Sequence, residues 1–215
     1  MRKKFWFLIV IVLLIIIGGF FYFWIPNHQS NSSPNPPTLF GKDDYKVEER
    51  DDGKYIVVDK VGLTAKVPDG WNIKFEGNDY PEPEYSIDLY SIDVATTTNY
   101  ILTDGCIISI MVINTEKEYE ETKRNIEILE KNPEKKNEIL YNDYILFTDI
   151  DTIKINRYSG IKLIFTDSPT MGGGNSIRIP IKNKNLLSSS ISFSLDYKNK
   201  CSLVWEEFIK NLKIK

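Results

Sequence analysis

The sequence predicts an α+β domain, an antiparallel β-sheet flanked by helices, preceded by one N-terminal transmembrane helix. Three observations predict it. Short pieces of period-two apolar alternation recur along the chain, two segments switch to helical period, and Phe5 to Ile25 runs for 21 residues without a charge. Strands come in runs interrupted by helices, without βαβ alternation, which is the pattern of a layered α+β domain. No internal repeat of fixed period is present. The 215 residues suit one domain plus accessory segments: a cytoplasmic tail at 1–4, a signal anchor at 5–25, a linker at 26–44 and an extracytoplasmic domain at 45–215.

At 1.5 Å per residue the anchor is about 30 Å long, the thickness of a bilayer's hydrocarbon core. Arg2, Lys3 and Lys4 precede it and no basic residue follows before Lys42. The positive-inside rule therefore places the N-terminus in the cytoplasm and the domain outside. Phe5, Trp6 and Phe7 at one end, and Phe20 to Trp24 at the other, are spaced as headgroup-level aromatics, so Phe5, Trp6, Trp24 and Ile25 mark the limits of the membrane anchor. A cleaved signal peptide would have a shorter apolar core followed by small residues. Here bulky aromatics follow Gly18-Gly19, and no cysteine near residue 25 points to lipoprotein processing.

Asn27 to Gly41 is rich in proline, serine and asparagine and reads as a tether that cannot bury enough apolar surface to order itself. Half-buried strands follow at Tyr55-Val57, Leu63-Ala65-Val67, Trp71-Ile73-Phe75 and Tyr85-Ile87-Leu89. Cys106 to Ile113 is almost continuously apolar, as expected of a central strand covered on both faces. Thr115 with Glu118 forms a capping-box pattern opening a helix whose face is Tyr119, Ile126 and Leu129 and which stops at Asn132-Pro133. Alternation returns in Ile161-Leu163-Phe165, Ile177-Ile179-Ile181 and Ile191-Phe193-Leu195. Trp205, Phe208, Ile209 and Leu212 then fall at i, i+3, i+4 and i+7, the apolar stripe of a closing helix.

The order of elements, the segment VPDGW (Val67 to Trp71) after the first hairpin and the finish FIKNLKI (Phe208 to Ile214) resemble the PsbP-like superfamily over about residues 53 to 215. That superfamily includes an extrinsic photosystem II subunit, a Ran-binding import factor and bacterial envelope lipoproteins. The resemblance implies an α/β/α sandwich serving as a binding or assembly module, with no catalytic motif to carry over. A bacterial surface protein suits the anchor best.

The residues exclude several chemistries. Setting aside the three basic residues before the anchor leaves 24 basic against 30 acidic, a net charge of −6. The densest basic run, Lys131 to Lys136, includes Glu134 and reads as a solvated helix end, so nucleic acid is not an expected partner. The single histidine, His28, lies in the linker, which removes histidine-based catalysis and histidine-rich zinc sites from the domain. No cofactor or metal is expected. Acidic groups at Asp79, Glu82, Glu84 and Asp88, and at Asp143, Asp149 and Asp151, have oxygen ligands suited to calcium but no EF-hand spacing, and read as solvated carboxylates.

Cys106 and Cys201 stand as a candidate disulfide outside the membrane. Two buried thiols are the alternative, and the burial habit of free cysteine leans that way. Met171, Gly172, Gly173 and Gly174 lack a phosphate-cradling pattern and read as a flexible hairpin loop, a candidate recognition loop. Tyr80, Tyr85 and Tyr90 form a second candidate recognition patch beside Pro81 and Pro83, against the simpler reading of core packing. The expected function is a non-catalytic module at the cell envelope, contacting lipid through its helix and an envelope protein through its domain. A surface hydrolase working through carboxylates alone is the alternative.

Overall fold

Each strand with one apolar side needs a second layer to cover it. In the computed structural model, which describes residues 40–78, 84–96, 102–144, 147–168 and 172–215, two antiparallel sheets and three helices do so. Strands β1 (Lys46–Arg50), β2 (Gly53–Val58), β3 (Leu63–Lys66) and β13 (Lys213–Ile214) form a small sheet in the order β1-β2-β3-β13. The large sheet holds β4 (Asn72–Asn78), β5 (Glu84–Tyr90), β8 (Cys106–Ile113), β9 (Asp149–Ile155), β10 (Tyr158–Ser168), β11 (Gly172–Ile181) and β12 (Asn185–Phe193), ordered β4-β5-β8-β12-β11-β10-β9. Between β5 and β8 lies a short pair, β6 (Ala95–Thr96) and β7 (Leu102–Asp104).

The large sheet separates two apolar layers. On one face Ile87, Leu89, Ile108, Ile110, Ile179 and Ile191 meet Ile56, Val58, Leu63 and Ala65 of the small sheet, together with Trp205 and Phe208 of helix α3 (Lys198–Asn211). On the other, Ile126 and Leu129 of α1 (Glu116–Lys131) and Ile139 and Leu140 of α2 (Lys136–Asp143) pack on Ile150, Ile161 and Leu163. Tyr45 stitches the layers: its hydroxyl donates to the Tyr85 carbonyl (3.3 Å) and accepts from the Val112 N–H (2.9 Å). Burial, partly offset by the Val112 hydrogen bond, pushes its phenol up to about 12.

Helix α1 begins after Thr115 and ends before Asn132 as the sequence predicts, but its cap is different. The Thr115 side chain makes no capping bond and its Oγ1 is buried without a partner. Glu116 of the first turn instead ion-pairs with Lys184. Strand β8 also departs from expectation. Cys106, Ile108, Ile110 and Val112 are buried while Ile107, Ser109, Met111 and Ile113 are half-buried, because α1 packs over β9 to β12. Phe40, placed in the linker by composition, is buried in the core just ahead of the Lys42–Asp44 turn.

Gly172, Gly173 and Gly174 belong to strand β11 and not to a hairpin loop. Gly174 pairs with Phe165 of β10, and a Cβ on it would collide with that ring and with the Ile191 carbonyl. Glycine is there because an aromatic ring lies against the backbone. The anchor residues Phe5, Trp6, Trp24 and Ile25, the linker before Phe40, Tyr80 and Met171 lie outside the described residues. Among those described, no helix is long and apolar enough to cross a membrane.

Candidate functional site

Alternation that sends isoleucines to one face of the large sheet sends a different set to the other, and directly paired residues share a face. Lys74, Asp88, Ser109, Ser190 and Ser176 are successive cross-strand partners and form one polar row across β4, β5, β8, β12 and β11. A second row runs through Tyr90, Ile107, Ser192 and Gly174. Ser188 beside Met111, and Ser86 beside Glu76, extend the same face. Helix α1 covers its β9 to β12 end. Toward β5 and β8 the side chains of Ser86, Asp88, Tyr90, Ser109 and Met111 are half-buried. Serine is small, so these rows form a shallow hydroxyl-lined trough.

Tyr90 organises the acidic part of the face. Its hydroxyl lies 3.1 Å from Glu76 Oε1 and 3.4 Å from Asp88 Oδ2, and Ser86 Oγ donates to Asp88 Oδ1 at 3.3 Å. One phenolic proton serves two carboxylates. Burial pushes the Asp88 carboxyl above its ordinary range, against hydrogen bonds from Ser109 and Ser86. Lys74, 2.5 Å from Glu76, holds the Glu76 carboxyl below its range. The Tyr90 phenol is raised by burial and then by the charge of Asp88. Neighbouring carboxyls are thus driven in opposite directions.

The structure sorts the candidate recognition residues. Tyr90 faces the trough. Tyr85 does not: its ring packs toward the core, and its carbonyl anchors Tyr45. Gly173 and Gly174 shape a strand, and Gly174 shares the row of Tyr90. Cys106 and Cys201 are bonded to each other, tying the first residue of β8 to α3. Ser109, Ser188, Ser190 and Ser192 were missed from the sequence. The signal was present as the S-x-S-x-S complement of Leu187 and Ile191, hidden because alternation is read from its apolar half.

A groove of about 220 Å³ lies elsewhere, between the turn after β3 and helix α3, with Lys66, Asp69 and Trp71 on one side and Glu207, Phe208 and Asn211 on the other. Here the two segments that carry the family resemblance, VPDGW and FIKNLKI, come together. Among the described residues no cluster of three or more histidine, cysteine or acidic side chains could hold a metal ion.

No family model matches the chain, and no curated protein matches it in sequence. Among solved structures it is similar to the cyanobacterial PsbP (CyanoP) of Synechocystis, at 8% identity and a TM-score of 0.43, over 81% of this chain and 95% of that one. At that level of likeness no residue role passes from that protein to this chain.

Proposed function

We propose that this chain is a non-catalytic binding or assembly module of the bacterial cell envelope, held by a membrane anchor at Phe5–Ile25 and folded outside as a PsbP-like α/β/α sandwich. The observation that carries the reading is the hydroxyl-lined trough of the large sheet, a polar face with exposed or half-buried donors and acceptors on β4, β5, β8 and β12. The Cys106–Cys201 bond supports the outward orientation, since disulfides persist in oxidising compartments. The test is proximity labelling from the anchored protein in its own cells, against an anchor-only control and a Ser190→Trp variant that fills the trough. A reproducible neighbour lost in Ser190→Trp is the expected result. Labelling equal to the anchor-only control overturns the reading.

A second reading, a carboxylate-dependent hydrolase, is favoured by one observation. Asp88 and Glu76 flank Tyr90 with one carboxyl raised and the other lowered, as an acid and its partner require. Glycan hydrolysis by the purified chain, abolished by Asp88→Asn, would replace the first reading with this one.

A further inference from the structure

We propose that the groove between the Val67–Trp71 turn and α3 receives a basic side chain, lysine or arginine, from a protein partner. The site is separate from the trough, and its occupancy does not depend on the membrane anchor. It is built from two local structures. The Trp71 N–H donates to the Pro68 carbonyl at 3.1 Å, closing a turn for which Gly70 adopts φ +78°, and this sets the half-buried indole beside α3. On α3, Val204, Glu207, Phe208 and Asn211 fall at i, i+3, i+4 and i+7 and share the stripe that faces the turn.

The base of the groove is apolar, with Val67 and Phe208 buried. Its charge is one-sided. Lys66 is matched by Asp52 at 3.6 Å. Asp69 and Glu207 are exposed and have no ion-pair or hydrogen-bond partner among the described residues, which leaves two unmatched carboxylates at an aromatic, apolar slot. An anion would be repelled, and an uncharged apolar side chain would strip water from both carboxylates without replacing it. A basic side chain fits both halves. Its methylene stem lies along Phe208 and Val204, and its head reaches the carboxylates and the indole face.

The volume is below the roughly 300–1,000 Å³ of small-molecule sites and suits one extended side chain. Leu203, 69% exposed and one turn before Glu207 on α3, is an exposed apolar side chain outside the groove's lining that an extended partner would cover. An exposed apolar side chain next to the groove favours a protein over a free small cation.

The test uses the full chain in nanodiscs with ¹⁵N-labelled tryptophan, following the Trp71 indole signal, assigned with Trp71→Phe, by NMR. The probes are Nα-acetyl-arginine amide, Nα-acetyl-lysine amide, the uncharged Nα-acetyl-norleucine amide and butylguanidine, a free monocation with no peptide groups. The expected result is a saturable shift with the arginine or lysine probe and none with norleucine. Binding should weaken about tenfold in Asp69→Asn/Glu207→Gln, two exposed substitutions that leave the thermal midpoint unchanged. No saturable shift, an equal response to norleucine, or unchanged affinity in the double variant overturns the proposal. Tighter binding of butylguanidine than of the arginine probe overturns the protein side chain as occupant.

Discussion

Asp88 sits between serine hydroxyls on a half-buried face, and its raised carboxyl has a consequence for stability. Because burial penalises the ionised form, the folded value lies above the unfolded one of about 4. The associated stability is fully present below pH 4 and is lost as pH rises through the folded value. Asp88→Asn cannot ionise and keeps that stability. Thermal unfolding should therefore give matching midpoints for the variant and the wild type near pH 3.5 and a higher midpoint for the variant at pH 7. A constant difference across that range would refute the assignment. Single residues were the least legible scale. Gly174 reads as loop because its reason for being glycine, the ring of Phe165, lies nine positions earlier on the neighbouring strand. The bridge between Cys106 and Cys201 was open for a similar reason: a separation of 95 residues fixes no distance, and only the fold brings the Cα atoms to 5.9 Å.

Elements were legible where apolar residues kept one period. The stripe of α3 is an example: Trp205, Phe208 and Leu212 are buried, and Trp205 stacks on Phe208 with ring centroids 5.6 Å apart. Trp205→Ala should cost about 3–5 kcal/mol by opening a cavity in the larger core, while Leu203→Ala, on the exposed side, should stay within about 0.5 kcal/mol. Urea denaturation of both variants checks the contrast, and similar costs would contradict the assigned faces. Elements without a single period escaped the sequence reading. In β9, Ile150 faces α1 and α2 whereas Ile153 and Ile155 face the opposite layer, so no alternation stands out among its aspartates. Helix α2 buries two adjacent residues, Ile139 and Leu140, and is too short to show a stripe. Strand β1 is an exposed edge whose one apolar residue, Val47, is itself exposed.

At the scale of the whole molecule, the α+β class and the antiparallel layering follow from the sequence, but the split into two sheets does not, because strand order is set by partners distant in the chain. The disulfide spans this organisation. Both cysteines belong to the larger core, and the loop they close contains α1, α2 and strands β8 to β12. In the chain-entropy view a loop of 95 residues raises stability by about 4.7 kcal/mol. Cys106→Ser/Cys201→Ser should lower the thermal midpoint, and reductant should do the same to the wild type while leaving the double variant unmoved. The closed loop also matters under load. A pull entering at the N-terminal side must first draw out Phe40 and Tyr45 and then reaches β1 at the end of its hairpin with β2 that lies away from the turn, so the two strands peel apart one pair at a time. Unravelling can run as far as Cys106 and then meets a covalent stop. The residues inside the loop cannot lengthen the chain, which withholds on the order of 300 Å of extension and keeps three of the five strands bearing the trough, β8, β11 and β12, inside the closed loop while β1 to β5 give way.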